Sequence, residues 1–171
     1  LFYEHYDLLA NNNSKYKIKT EVYFPAADEV EKMVNEKGIN SFFQSVENRK
    51  ECCAIRKVKP LNRALEGAKV WITGLRSEQS ENRQTLQMLE WDATRQLHKF
   101  NPLLHWTYND VLKYIEEHQI LDLPLHRQGF ISVGCKPCTR AIEPGENPRA
   151  GRWWWEESQK ECGLHSEKSK L

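Results

Sequence analysis

Apolar residues recur at helical spacing through the first ten positions, pairing Phe2 with Tyr6 and Tyr6 with Leu9, and the polar run Asn11–Ser14 then interrupts them. Ile18, Thr20, Val22 and Phe24 alternate as far as Pro25, which predicts a short strand. Asp28 is placed to cap a helix carrying Val30, Met33 and Val34, with Gly38 as its stop signal. A second helical stretch is expected over 39–46. Residues 51–65 read as helix again, kinked or restarted at Pro60. The run KVWITGL, ending near Gly74, has the pattern of a strand buried on both faces of an α/β sheet. Thr107 or Asn109 then starts a helix through Val111, Leu112 and Ile115, just after Leu104 and Trp106. Beyond Pro124 the chain is punctuated by glycine and proline, without repeats or low complexity, and has the composition of a site. The expected class is α/β.

Bulk composition narrows the function. With 171 residues, 39% hydrophobic and 29% charged, the chain suits one ordinary domain with its own core. Its 25 basic and 24 acidic side chains leave a net charge of +1, which argues against nucleic-acid binding through bulk electrostatics. A local arginine cluster stays possible, because net charge cannot reveal one. No stretch approaches the roughly 18 apolar residues of a membrane span. Glu4 and Asp7 stand where a leader would need basic residues, so a cytoplasmic chain is expected.

The five cysteines change the picture most. An odd count speaks against a closed disulfide framework and favours metal or redox chemistry. Cys52 and Cys53 are adjacent, and Cys135 and Cys138 form a Cys-x-x-Cys turn around Pro137. Four thiolates suit tetrahedral zinc or an iron–sulfur cluster. Adjacent side chains reach one small ion poorly, whereas a 4Fe–4S cube offers each cysteine its own iron. No histidine follows Cys138, so haem attachment is excluded. Buried, unrelated thiols are the plainer explanation for either pair alone. With both pairs present, the cluster is the better reading.

Arg149 and Arg152 stand three apart around Gly151, and Trp153, Trp154 and Trp155 follow. Arginine presents a planar fork of donors suited to phosphate or sulfate, and the glycine would let backbone approach the anion. Lys57 and Arg56 lie just beyond Cys53, and Arg76 and Arg83 follow the predicted strand, where α/β sheets carry ligand loops. Taken singly such residues are usually solvated surface charges, and tryptophans usually pack. Together they predict a site for an anionic small molecule. The fifth thiol, Cys162, stands apart in the polar tail KECGLHSEKSKL, between Glu161 and Gly163 and close to His165.

The segments ECCAIRKVKPL, ITGLRSEQSENR, GFISVGCKPCTRAIEPGENPRAGRWWW and KECGLH, in that order, resemble the assimilatory adenylyl sulfate reductases of the cysteine pathway. The resemblance covers nearly the whole chain. The related 3′-phosphoadenylyl sulfate reductases keep the terminal motif but typically lack both cysteine pairs, so the resemblance is to the iron–sulfur branch. It implies a Rossmann-like fold of the adenine nucleotide alpha-hydrolase type, with a reductase domain over 1–155 and a catalytic tail over 156–171. It implies a 4Fe–4S cluster on Cys52, Cys53, Cys135 and Cys138. Cys162 is implied as the nucleophile, attacking adenylyl sulfate to give a cysteine S-sulfonate and AMP. A dithiol of the thioredoxin or glutaredoxin type then releases sulfite. Lys57, Arg83, Arg149, Arg152 and His165 are implied substrate contacts, with Arg76 and Gln79 as weaker ones. A homo-oligomer is expected.

The front of the chain departs from that family. A glycine- and serine-rich phosphate loop and an LDTG-like turn are absent, and LFYEHYDLL resembles the family's segment just beyond that turn, so the expectation is a C-terminal part of the enzyme. Two alternatives remain open: a reductase of 3′-phosphoadenylyl sulfate, and a non-catalytic metal-binding module.

Overall fold

The structure is a computed structural model and describes residues 1–156. Along the chain run α1 (Tyr3–Tyr16), α2 (Ala27–Lys37), α3 (Val46–Cys53), α4 (Lys59–Ala64), β1 (Val70–Ile72), β2 (Leu89–Asp92), β3 (Leu97–Phe100) and α5 (Tyr108–Glu117). Short 3₁₀ turns join several of them. The chain is α/β, as expected. Its described residues divide into two compact units: Leu1–Glu21, Thr73–Met88 and Asn101–Trp154 form the first, while Val22–Ile72, Leu89–Phe100, Trp155 and Glu156 form the second.

The first unit is built around Phe2, Leu123 and Leu125, with Leu8, Phe130 and Val133 packed against them. The Phe2 and Phe130 rings meet edge-on at 5.3 Å. Helix α1 runs past the polar residues expected to end it and stops only at Lys17, in the left-handed conformation. Asn13 does not break the helix. Its side-chain oxygen instead accepts from the Thr20 amide (3.3 Å) and hydroxyl (2.7 Å), holding the next segment.

That segment is the clearest departure from the alternation. Residues 18–24 join no strand, and Ile18, Val22 and Phe24 are exposed. Alternation makes a strand only when a neighbour supplies backbone partners along its length.

Helix α5 agrees closely with expectation. Thr107 caps it by accepting from the Asp110 amide (3.1 Å), and Asp110 accepts in return from the Thr107 amide (2.8 Å) and hydroxyl (2.7 Å). These bonds, the Thr107 hydroxyl's first, hold the Asp110 carboxyl below its ordinary value. Its contribution is therefore fully present above about pH 4 and is lost as pH falls through the lowered value. Thr107→Ala is expected to cost about 1 kcal/mol in urea denaturation at neutral pH. The deficit should narrow in strongly acid buffer, where Asp110 is protonated in both proteins.

In the second unit, α2 ends at Gly38 (φ 86°), as its glycine predicts. The helical stretch expected over 39–46 is shorter, a 3₁₀ turn at Ser41–Phe43, and α3 begins at Val46 behind a Ser45 cap. Pro60 falls in the first turn of α4, the restart that the sequence allowed, although no loop separates the two helices. A π turn over Ala54–Val58 joins α3 to α4, with the Lys59 amide reaching back to Ala54. Proline clashes with the carbonyl four residues earlier, and a wider turn relieves that clash.

Strand β3 lies between β1, parallel to it, and β2, antiparallel. The expectation of a strand buried on both faces is corrected here. Val70 and Ile72 align with His98 and Phe100, which in turn face Trp91 and Leu89, and on this side Val70, Ile72, Leu89 and Trp91 are half or more exposed. The other face is covered: Arg95 and Lys99 lie 5.5 and 5.9 Å from the Trp71 ring, and Arg95 also bonds Asp92 and Asn62. A β-branched run reports strand propensity, whereas burial depends on what packs over it.

Candidate active site and metal centre

In the first unit, Pro137 opens a 3₁₀ turn over Lys136–Cys138, and the Cys138 amide donates to the Cys135 carbonyl at 2.9 Å. The Thr139 hydroxyl donates to that same carbonyl (2.9 Å) and accepts from the Gly134 amide (3.1 Å). One threonine thus closes the turn from inside and brings Cys135 and Cys138 onto it. Cys138 is buried, Cys135 is half-buried, and neither is in a disulfide.

The arginine segment folds directly onto this turn. Thr139 and Arg152 form an antiparallel bridge, the Trp153 amide donates to Cys138 (3.2 Å), and the Arg140 amide donates to Gly151 (3.0 Å). Arg152 is 7% exposed, its Nη1 donates to the Val133 carbonyl at 3.3 Å, and its guanidinium lies 4.4 Å from the Trp153 ring centroid. A Cβ on Gly134 would stand 2.6–2.9 Å from that guanidinium, so the glycine is what makes room for it. Trp153 is 1% exposed and has φ 43°, a packing residue as tryptophans usually are. Arg149 is half-buried and starts the turn to Arg152, whose amide donates to it at 2.9 Å.

Gly151 has a packing role that its neighbours do not suggest. Its α-carbon faces the Arg140 carbonyl oxygen, well under 3.0 Å from where a Cβ would sit. It permits two backbone segments to meet. Arg140 itself is clamped by two 2.9 Å bonds to Glu146, which raise its pKa above the ordinary value.

The loop after β1 also belongs to this unit. Gln79 accepts from the Arg76 amide (3.2 Å) and from the Arg83 guanidinium, so it ties the two arginines together. Arg76 also bonds Glu78 at 3.4 Å and lies 5.7 Å from the Tyr108 ring. Asn101, fully buried, was not anticipated. It accepts from the Thr73 hydroxyl, donates to Gln87 (2.8 Å), and with Ser77 on Leu104 (2.9 Å) pins the loop at both ends. Nothing local marks it, since an asparagine after a strand reads as a turn residue. A cavity of about 290 Å³ beside α5, lined by Trp106, Asp110, Lys113, Tyr114 and Glu117, contains none of the predicted site residues.

In the second unit, α3 ends on Cys52, half-buried, and Cys53, buried, and neither is in a disulfide. The adjoining π turn carries Lys57, which is half-buried, and Arg56, which is exposed. Such turns often occur at functional positions. Sequence reasoning also missed Arg49, buried one helical turn before the cysteines and bonded through Nε to Glu156 at 2.6 Å.

The donor set fits an iron–sulfur cluster in its chemistry: four cysteines outside disulfides, one pair on a closed turn and one at a helix end. Among the described residues, no three or more histidine, cysteine or acidic side chains are grouped as a metal site. Cys162 and His165 lie outside the described residues. No helix among those residues is long and apolar enough to cross a membrane.

Residues 1–141 match the family model described as phosphoadenosine phosphosulfate reductase domain. An adenosine 5′-phosphosulfate reductase of Rhizobium tropici is 46% identical over 166 residues, covering 96% of this chain and 92% of its own. One of Burkholderia cepacia is 51% identical over 152 residues, covering 88% of this chain. This chain spans 61% of the Burkholderia cepacia protein, and 66% and 64% of relatives from Sinorhizobium fredii and Agrobacterium fabrum. The crystal structure of phosphoadenylyl-sulfate reductase from Candida auris, a phosphate complex, superposes with a TM-score of 0.65 at 27% identity, covering 80% of this chain and 64% of that one. By family model, relatives and fold together, the chain belongs to the phosphoadenosine phosphosulfate reductase family.

Proposed function

We propose that this chain carries the reducing chemistry of an adenylyl sulfate reductase. The observation that supports this most is the coexistence of both cysteine pairs, outside disulfides, in a chain 46–51% identical to proteins named adenosine 5′-phosphosulfate reductase. In this reading the Cys162 thiolate attacks the sulfonyl sulfur of adenylyl sulfate, the S–O bond breaks, and AMP leaves with its electron pair. A thiolate of a thioredoxin-type dithiol then attacks the Cys162 sulfur and displaces sulfite. Its second thiol resolves the mixed disulfide, so the dithiol gives up two electrons in all.

Lys57, Arg83, Arg149 and Arg152 supply positive charge for the phosphosulfate, with Arg76 and Gln79 supporting. Charge of that sign also lowers a thiol pKa, and His165 can add to it. Cys52, Cys53, Cys135 and Cys138 would hold a 4Fe–4S cluster, whose contribution is structural and electrostatic support of the site. Residues 1–155 act as the reductase body and 156–171 as the catalytic tail. The setting is cytoplasmic sulfate assimilation towards cysteine, in a homo-oligomer.

Two measurements test this. Anaerobically purified protein should be brown, and Cys52→Ser or Cys135→Ser should lose most of its visible absorbance. A colourless parent protein with tightly bound zinc would sink the cluster. The similarity to the Candida auris enzyme supports a second reading, in which the substrate carries a 3′-phosphate. Kinetics with both nucleotides in competition separates the two, and preference for the phosphorylated one reverses the assignment.

A further inference from the structure

Helix α3 buries two of its residues, Arg49 and Cys53, four apart and therefore on one side of the helix. Arg49 is bonded to Glu156 at 2.6 Å, and the two side chains are 1% and 6% exposed. One residue earlier, the Trp155 ring packs 4.3 Å from Phe43 and 6.3 Å from Phe42. Withdrawing one partner of an ion pair this dry is costly, because it strands the other's charge away from water. Cys162 comes six residues after Glu156. Whatever path the chain takes, six residues span no more than about 20 Å.

We propose that Arg49, with the Phe42–Phe43 platform, is a positioning device for the nucleophile: it fixes the root from which Cys162 reaches the substrate. The inference rests on Cys162 being that nucleophile. The helix that carries Cys52 and Cys53 also carries Arg49, so the cluster proposed above and the tether would share one element. Releasing the root moves the nearest buried attachment back to Trp153, nine residues before Cys162. Chain statistics alone then lower the effective thiol concentration about two-fold, and loss of a fixed direction lowers it further.

The test uses the full chain, purified anaerobically, as Arg49→Met/Glu156→Gln and as Arg49→Lys. The double variant removes both charges, so none is left stranded and folding is preserved. For it we expect visible absorbance and nucleotide Kd to match the parent, S-sulfonation of Cys162 to slow by about five-fold or more, and tryptic cleavage after Lys160 to accelerate several-fold. Arg49→Lys should recover most of the sulfonation rate. Unchanged cleavage, or an unchanged sulfonation rate, overturns the anchor. If the parent itself never accumulates an adduct on Cys162, the functional reading fails, and the cleavage rates still decide whether Arg49 holds the root.

Discussion

Cys162→Ser is expected to abolish sulfite release from adenylyl sulfate, lowering the rate by at least about 1,000-fold. Serine keeps the size of the side chain but holds its proton at neutral pH, so no anion is available to attack the sulfonyl sulfur. The other four cysteines lie in two pairs within folded segments, two of them buried. Cys162 alone stands in a polar run outside those pairs. The decisive measurement is mass spectrometry after mixing with adenylyl sulfate in the absence of dithiol. The parent should gain one sulfonate on the peptide containing Cys162, and the serine variant none. Nucleotide binding should survive, since the cationic residues assigned to the phosphosulfate are untouched. Sulfite release at the parental rate from Cys162→Ser would rule this mechanism out.

Gly151→Ala is expected to destabilise the first unit by about 2–3 kcal/mol, a large effect for one methyl group. The new Cβ would fall against the Arg140 carbonyl oxygen, with Ile142 Cγ2 3.2 Å away on another side. The backbone cannot simply retreat. Gly151 accepts from the Arg140 amide at 3.0 Å, and two residues on Trp153 donates to Cys138 at 3.2 Å. Relief therefore means opening the bridge that seats Arg152 beside the Cys135–Cys138 turn, so weaker nucleotide binding should accompany the lost stability. Gly74→Ala is the control, because a Cβ there meets nothing within 4 Å, and it should stay within about 0.5 kcal/mol of the parent. Urea midpoints compare the variants, provided that the slopes agree. Equal midpoints for Gly151→Ala and the parent would remove the steric account of this glycine.

Several parts of the fold were legible because their causes are local. The start of α5 at Thr107, one of the two expected, and the Gly38 stop depend on residues a few positions apart, and both stand where the pattern allows them. The Cys135–Cys138 turn is of the same kind, with Pro137 setting the backbone and Thr139 closing it. The two strand readings failed for one shared reason. Alternation over 18–24 and the β-branched run at β1 describe how a segment would sit in a sheet, but not whether a neighbour lies beside it or over it.

By itself, then, the sequence determined the chemistry on offer: two cysteine pairs, a lone thiol, clustered arginines and an order of motifs particular to one reductase family. Side-chain type and near-neighbour spacing carry that information, and neither needs the fold. Only the tertiary structure decided what each part does in place. It set Gly151 where two backbones meet, made Asn101 the clasp of the Gln79–Arg83 loop, and joined Arg49 to Glu156 across more than a hundred residues. Such partners are set by packing between distant segments, and a chain read in order carries no local mark of who its neighbours will be.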